Sequence, residues 1–364
     1  MTIVTHQPLL RLRGDHEQGR KMMDSSALQL ATIACLKNHS SEYIDAKITN
    51  VSQISGGYSR LTYKYVIKHD NKTSELILQY VPKGSTGLVR VDRRVERDIL
   101  EFLSQHSEIK TSTLIASDVD NAYFDNAAFI FHAETGQPFI EVCRAAPAEH
   151  HGQLNQIVAR AGASVHKLDI NLLPQSVPRP KSWENYIDEQ IKSFRETEAL
   201  SKTSRPFLRF IAKWLEDNKP PPAPLTLVHG DFQVSNMIET ADKKDGKCVD
   251  WELAHIGDPR EDLGWFTMVC GAIPPNILES DIEAFYDEYR NKTGFSKNII
   301  NPATSAYFLI ISSIRTHMGM MKSSDALAAN PAQAQSVLAA YYLNITSYQH
   351  ANWMNSVKFV ESQK

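Results

Sequence analysis

The hydrophobic pattern of the chain changes its period partway along, and this change limits the folds open to it. Between Ile48 and Val81 apolar and polar residues alternate in "LTYKYVIKHDNKTSELILQYV", which is typical of two strands joined by a turn. After Gly136 apolar residues recur at helical spacing, as in "LNQIVARAGASVHKL". We therefore expect an α+β protein with a small antiparallel sheet in an N-terminal lobe and a larger, mostly helical C-terminal lobe.

The same shifts in pattern set the expected boundaries. Residues 1–45 are predicted to be an N-terminal extension that includes a helix at "SALQLATIACLKNH". Residues 46–134 are predicted to form the N-terminal lobe, with a sheet and a helix. Residues 135–364 are predicted to form the helical C-terminal lobe.

Charge and composition exclude several classes of protein. A formal charge of −3 over 364 residues argues against a nucleic-acid-binding surface, which needs a basic face. The four cysteines are scattered without a C-x-x-C pair, so the sequence indicates neither a zinc site nor a disulfide framework. The N-terminus has no apolar run typical of a signal peptide, and "AYFLIISSI" is too short to span a bilayer. We predict a cytoplasmic protein that binds neither nucleic acid nor a membrane.

The most specific feature is "LVHGDFQVSNMIE", which is followed by "CVDWELAHIGDPREDLGW". Asp231 and Asn236 lie five residues apart, and Asp250 comes fourteen residues after Asn236. Short apolar segments, "LTLV", "NMIE" and "KCV", adjoin the three polar residues and have the character of strands. A strand–loop–strand hairpin would bring Asn236 and Asp250 close together, with Asp231 on the loop between them.

Three converging oxygen-bearing side chains suit phosphoryl transfer. Magnesium takes oxygen ligands and usually keeps phosphate oxygens among them. A carboxylate that does not bind the metal can accept a proton from an attacking hydroxyl. The Asp–x4–Asn interval matches the catalytic loop of protein kinases, in which the aspartate is the base and the asparagine binds metal. By this match Asp231 is the predicted catalytic base, and Asn236 and Asp250 are the predicted metal ligands.

These two segments resemble the aminoglycoside phosphotransferase family, and they are most similar to its branch of kinase domains attached to some acyl-CoA dehydrogenases. The resemblance runs from Ile54 to about Arg315 and is strongest over 227–265. It implies a bilobal protein-kinase-like fold with ATP and Mg²⁺ as cofactors. It also implies transfer of the γ-phosphate to a hydroxyl of a small molecule, such as a hydroxyacyl-CoA or a similar metabolite.

The resemblance further implies a set of nucleotide-binding residues. A glycine-containing phosphate loop at "SGGYS" supplies Gly56, Gly57 and Ser59. The third strand supplies Gln79, and the helix after it supplies Glu96. The hinge between the lobes supplies His132 and Ala133. Glycine in such a loop lets backbone amides approach phosphate oxygens closely. The resemblance also implies that Asp262 braces the catalytic loop. His229, by contrast, is predicted to be structural and to bond to backbone.

This chain departs from the family at Gln79, where the family has lysine or arginine that pairs with the glutamate at the position of Glu96. Glutamine can donate a hydrogen bond to a phosphate oxygen but cannot neutralise it. Arg60, Lys64 or Lys83 is expected to supply the missing charge. Otherwise the protein is a degenerate kinase that binds nucleotide or ligand without turnover.

Two further functions remain open from the residues alone. One is phosphorylation of an aminoglycoside or another antibiotic, which usually requires an acidic pocket for a polycationic drug. The other is metal-dependent hydrolysis by the same Asp–Asn cluster, which would leave the glycine loop and Glu96 without a role.

Overall fold

The computed structural model describes residues 23–54, 60–70, 72–82, 89, 91–106, 108–201, 204–329 and 336–364. The chain divides into two compact units, Met1–Gly87 with Leu114–Ala133 and Leu88–Thr113 with Glu134–Lys364. We call them the N-terminal unit and the C-terminal unit. The expected domain boundaries at 45/46 and 134/135 stay a prediction, and the helix after the third strand belongs here to the C-terminal unit.

Among its described residues, the N-terminal unit has a five-stranded antiparallel sheet and one α-helix, and the strand order is β1-β2-β3-β5-β4. The predicted helix and the predicted strand pair are confirmed, whereas β4 was not predicted. The elements are α1 (Ser25–His39), β1 (Lys47–Ile54), β2 (Leu61–His69), β3 (Lys72–Tyr80), β4 (Leu114–Asp118) and β5 (Ala128–His132).

Helix α1 begins at an N-cap and packs into the core of the N-terminal unit. The Asp24 carboxylate accepts a hydrogen bond from the Ala27 amide at 2.8 Å, which satisfies one of the free amides of the first turn. Leu28 and Leu36 of the helix are buried in one cluster with Leu78 of the sheet. Burying each such side chain stabilises the fold by about 1.5–3 kcal/mol. The helix of the predicted extension is therefore part of this unit.

The C-terminal unit is mostly helical, as predicted. Its helices are α2 (Arg93–Ser104), α3 (Phe139–Ala145), α4 (His151–His166), α5 (Trp183–Ala199), α6 (Pro206–Asp217), α7 (Arg260–Ala272), α8 (Ile282–Thr293), α9 (Pro302–Ala329) and α10 (Ser336–Glu361). Four short strands form two antiparallel pairs: β6 (Thr226–Val228) with β9 (His255–Gly257), and β7 (Met237–Glu239) with β8 (Gly246–Cys248).

The helices of the C-terminal unit enclose a large aromatic and aliphatic cluster. Its buried members include Phe194 from α5, Ile211 from α6, Phe308 from α9 and Trp353 from α10. The cluster also contains Met268 of α7, and α7 packs along α9. Among the described residues no helix is long and apolar enough to cross a bilayer.

Candidate active site

A hairpin brings Asn236 next to Asp250. Met237 of β7 pairs with Cys248 of β8, and the Val249 amide donates to the Asn236 carbonyl at 2.9 Å. The predicted strand–loop–strand arrangement is therefore confirmed. Asp250 follows with a φ of 68°, in the left-handed region that non-glycine residues rarely occupy and that aspartate tolerates better than most. Strain of this kind is often found at functional sites.

The second strand pair positions Asp231. Val228 of β6 pairs with His255 of β9, and the chain then turns at Gly230 with a φ of 80°. A Cβ atom on Gly230 would lie 2.3 Å from the Leu253 carbonyl oxygen, so only glycine fits this turn. The turn places Asp231 on the loop between the two strand pairs.

Asp262 holds that turn from behind. It is buried at the start of α7, and its carboxylate accepts hydrogen bonds from the amides of His229 at 2.8 Å and Gly230 at 2.9 Å. It also contacts His166 Nε2 at 3.0 Å. Burial alone would raise the pKa of Asp262, but the hydrogen bond and charge of His166 bring it below its ordinary value. The predicted brace is confirmed.

His229 joins the two loops of the site. Its Nε2 lies 3.0 Å from the Val249 carbonyl, which can only accept, so Nε2 carries the hydrogen. Its Nδ1 then accepts the Asp231 amide hydrogen at 3.3 Å. Burial lowers the pKa of His229, which favours the neutral ring that this pattern requires. The structural role predicted for His229 is confirmed.

Three side chains orient the Asp231 carboxylate. Oδ1 accepts from Gln233 Nε2 and Trp265 Nε1, each at 2.6 Å, and Oδ2 accepts from Asn236 Nδ2 at 2.8 Å. A carboxylate offers about two lone-pair directions on each oxygen. Oδ1 is therefore saturated, and Oδ2 keeps one direction for an incoming hydroxyl.

The side-chain oxygen of Asn236 and the carboxylate of Asp250 fit a magnesium ion. Its Nδ2 donates to both the Asp231 carbonyl and the Asp231 carboxylate, which fixes the orientation of the amide. Within the described part of the chain no donor contacts its Oδ1, so this oxygen is available as a ligand. With the Asp250 carboxylate beside it, the pair offers the hard oxygen ligands that magnesium prefers.

The two carboxylates of the site act on each other. Burial and then the nearby charge of Asp250 raise the pKa of Asp231 to about 7, against the lowering effect of its three hydrogen-bond donors. Without a bound cation, the raised pKa favours the protonated form of Asp231 at neutral pH more than in an ordinary aspartate. A cation bound at Asn236 and Asp250 would favour the ionised form, in which the carboxylate can act as a base.

We expect Asp231→Asn to be more stable than the wild-type protein in the absence of divalent metal. A carboxyl whose pKa is higher in the folded state contributes full stability below the unfolded pKa near 4, and loses it as the pH rises through about 7. The substitution removes this loss, so its free energy of unfolding should exceed that of wild type by about 1–3 kcal/mol at pH 8 and by less at pH 5.

Urea denaturation in EDTA at both pH values measures the difference. Asp188→Asn, at an exposed ion pair with Lys219, is the control and should change stability little at either pH. An Asp231→Asn protein that is no more stable than wild type at pH 8 would contradict the raised pKa of Asp231.

In the N-terminal unit, Gln79 contacts an arginine. Gln79 lies on β3 as predicted, and its Oε1 accepts a hydrogen bond from Arg60 Nη1 at 2.8 Å. Arg60 is buried, and its guanidinium lies 5.8 Å from the centre of the Phe129 ring. Lys64, by comparison, forms a half-exposed ion pair with Glu75 at 2.9 Å. Of the three cations expected to compensate for Gln79, Lys83 lies outside the described residues.

The remaining predicted nucleotide-binding residues are placed as follows. Gly56, Gly57 and Ser59 lie outside the described residues. Glu96 is buried on α2, where its Oε2 accepts from Arg93 Nη1 at 2.7 Å, and Arg93 also donates to Glu252 at 3.1 Å. His132, exposed, ends β5, and the Ala133 amide after it donates to the Glu75 carbonyl at 2.9 Å. Their nucleotide-binding roles stay predictions.

Two side chains at Asp231 were not predicted from the sequence. Gln233 lies two residues after the aspartate, within the loop itself. Trp265 lies 34 residues away but only three after Asp262, so both project from one face of α7. That spacing, together with the predicted brace, is the signal that indicates Trp265.

Known proteins share sequence similarity with this chain. A model of the phosphotransferase enzyme family matches residues 50–294, which is more than half of the chain. IBR3 of Arabidopsis thaliana, a protein named as an acyl-CoA dehydrogenase, is 26% identical over 231 residues. The match covers 60% of this chain and 28% of the plant protein, so the chain spans less than a third of the length of this relative. The resemblance proposed from the motifs is confirmed.

Solved structures share the whole fold. A candidate aminoglycoside phosphotransferase from Ralstonia eutropha JMP134 aligns with a TM-score of 0.68 at 18% identity, covering 92% of this chain and 98% of that one. An APH(2″) enzyme solved with GDP and kanamycin aligns with a TM-score of 0.57 at 13% identity, covering 89% and 99%. At these identities the likeness shows the fold alone, and it confirms the predicted bilobal kinase-like class.

Proposed function

This chain belongs to the phosphotransferase enzyme family, and we propose that it is a magnesium-dependent kinase that transfers the γ-phosphate of ATP to a hydroxyl of a small molecule. The observation that carries the proposal is the contact between Asp231 and Asn236 beside Asp250. Three donors hold the Asp231 carboxylate and leave one lone pair of Oδ2 for the acceptor. The Asn236 amide oxygen and the Asp250 carboxylate are the proposed metal ligands. This division matches the needs of phosphoryl transfer.

The residues suggest how the transfer proceeds. Asp231 Oδ2 accepts the proton of the acceptor hydroxyl as that oxygen forms a bond to the γ-phosphorus. The bond between the γ-phosphorus and the bridging oxygen breaks, and ADP leaves with the electron pair. Asn236 and Asp250 would hold magnesium, which neutralises charge on the phosphate oxygens when bound. Trp265 and Gln233 keep Oδ1 occupied, so that Oδ2 faces the acceptor.

For the acceptor we propose a hydroxyacyl-CoA or a similar hydroxylated metabolite. The sequence motifs of residues 227–265 and the similarity to an acyl-CoA dehydrogenase of Arabidopsis thaliana support this class of acceptor. Phosphorylation of an aminoglycoside or another antibiotic is the alternative, because a structural relative was solved with kanamycin. The cytoplasmic setting and the lack of nucleic-acid partners stay predictions.

An ATP-consumption screen tests the proposed activity. Wild-type protein with Mg²⁺–ATP is offered hydroxyacyl-CoAs, aminoglycosides, macrolides, choline-like alcohols and sugars, and the product is identified by mass spectrometry. We expect acceptor-dependent ADP release with one class. Nucleotide binding without turnover over the whole panel would instead favour the degenerate kinase, and phosphate release from a phosphoester without ATP would favour the hydrolase.

The contact between Arg60 and Gln79 changes the expected effect of substitutions at position 79. We propose that Arg60, held against Gln79, supplies the phosphate-binding charge that the family places on the third strand. Hydrogen bonds to charged groups contribute about 1.5–3 kcal/mol, so Arg60→Gln should raise the KM for ATP by about 10- to 100-fold. Gln79→Lys alone sets a second cation beside Arg60 and should not tighten ATP.

The double variant Arg60→Gln with Gln79→Lys returns one cation to the pair, and it should recover most of the lost ATP affinity. Lys64→Gln is the matched control, because its ion pair with Glu75 is half-exposed and belongs to the same sheet. Measured ATP constants that are equal for wild type and Arg60→Gln would rule out this role for Arg60.

A further inference from the structure

In the C-terminal unit, the guanidinium of Arg315 has no protein acceptor among the residues that the structure describes. Arg315 lies on α9, partly exposed, and its Nη1 is 3.3 Å from His255 Nδ1. That nitrogen also lies 2.8 Å from the Leu253 carbonyl, which can only accept a hydrogen. Nδ1 is therefore protonated and cannot accept from Arg315. Within the described part of the chain, the Arg315 guanidinium has no acceptor of its own.

The buried carboxylate of Glu261 stabilises the positive charge of Arg315 without forming an ion pair with it. Glu261 is buried and accepts from the Tyr186 hydroxyl at 2.5 Å, and its other oxygen lies 3.5 Å from His255 Nε2. Burial alone would raise the pKa of Glu261, but the hydrogen bond and charge of His255 and the charge of Arg315 lower it. Glu261 thus places negative charge beside Arg315 while the guanidinium donors of Arg315 stay available to a ligand.

A short series of contacts links Arg315 to the turn that carries the proposed base. His255 pairs with Val228 across the β6–β9 ladder, and the Leu253 carbonyl packs against Gly230, which immediately precedes Asp231. Helix α9, which carries Arg315, also packs along α7, which carries the Trp265 that donates to Asp231. Arg315 is therefore connected to both segments that position Asp231.

We propose that Arg315, supported by His255, binds an anionic group of the acceptor, either a phosphate or a carboxylate. The proposal rests on the proposed kinase activity and narrows its acceptor to anionic hydroxylated metabolites. A guanidinium matches both anions in geometry and charge. The same charge disfavours polycationic aminoglycosides and choline-like alcohols, because like charges repel in a partly buried site.

Calorimetric titration tests this assignment without knowledge of the true acceptor. Protein saturated with Mg²⁺ and a nonhydrolysable ATP analogue is titrated with coenzyme A, with 3-hydroxybutyrate and with kanamycin. Coenzyme A carries phosphates and 3-hydroxybutyrate carries a carboxylate, so the two probes distinguish the sources of the anion. We expect at least one of them to bind more tightly than kanamycin, and Arg315→Gln to weaken that binding by about tenfold or more.

Arg315→Lys keeps the charge and should lose less affinity than Arg315→Gln. Arg195→Gln is the matched control, because Arg195 already has Glu216 as its carboxylate partner at 2.7 Å. The proposal is overturned if neither anion binds wild type, if wild type and Arg315→Gln bind the anions alike, or if kanamycin binds more tightly than both. Failure of the kinase proposal would appear separately, as loss of binding of the Mg²⁺–nucleotide itself.

Discussion

Asp250→Asn should abolish magnesium-dependent ATP turnover and leave the fold intact. Metal ions supply several kcal/mol of charge stabilisation in the transition state, so the expected loss in kcat is about 10³-fold or more. Asparagine keeps the shape of the side chain and tolerates the left-handed backbone, with its φ of 68°. Asp250→Ala should lose turnover equally. It should also be less stable by about 1–2 kcal/mol, because alanine tolerates the left-handed backbone less well than aspartate or asparagine.

Two measurements separate the metal role from a structural one. ADP production over a range of Mg²⁺ concentrations reports catalysis, and paramagnetic resonance of bound Mn²⁺ in the presence of an ATP analogue reports the metal directly. The free energy of unfolding of Asp250→Asn should match that of wild type within about 1 kcal/mol. A folded Asp250→Asn protein with normal turnover would remove the metal assignment from this residue.

The sequence predicted the parts of the site that depend on local structure. The short apolar segments on either side of Asn236 and before Asp250 indicated a hairpin, because strand character and turn length are encoded within a few residues. The brace by Asp262 followed from the family motif. Strand β4 was not predicted, because "LIASD" is short and has no clear alternation. Likewise β9, with three residues, carries no periodic signal.

Contacts across distant segments were not predictable in the same way. Arg60 was one of three cations near Gln79, and only the pairing of β2 with β3 decides which guanidinium or ammonium reaches its side chain. Trp265 reaches Asp231 because α7 packs against the catalytic loop, and no periodicity within either segment reports that packing. Arg315 stands out only after its neighbours' hydrogen bonds are assigned. Such contacts depend on tertiary structure, and neither periodicity nor motif spacing in a single sequence predicts them.

The gain in stability expected of Asp231→Asn should accompany a large loss of activity. Removing a general base typically costs about 10²–10⁴-fold in rate, and we expect kcat to fall by this factor. Asparagine keeps an oxygen that accepts from Gln233 and Trp265, so the loop should hold its shape. Asn236 and Asp250 are unchanged, so binding of Mg²⁺–ATP should remain within a few-fold of wild type. The assay is made at pH 8, above the pKa of about 7, so that the wild-type carboxylate is ionised.

Trp265→Phe is the control that separates basicity from orientation. It removes one of the two donors to Oδ1 but leaves the carboxylate, its Asn236 contact and the aromatic ring in place. The Trp265 donor contacts the carboxylate both before and during the reaction, and Gln233 still donates to the same oxygen, so kcat should fall only about 2- to 10-fold. If Asp231→Asn lost no more activity than Trp265→Phe, the carboxylate would be a structural acceptor. The proton of the acceptor hydroxyl would then have to leave by another route, and the kinase-like assignment of "HGDFQVSN" would fail with it.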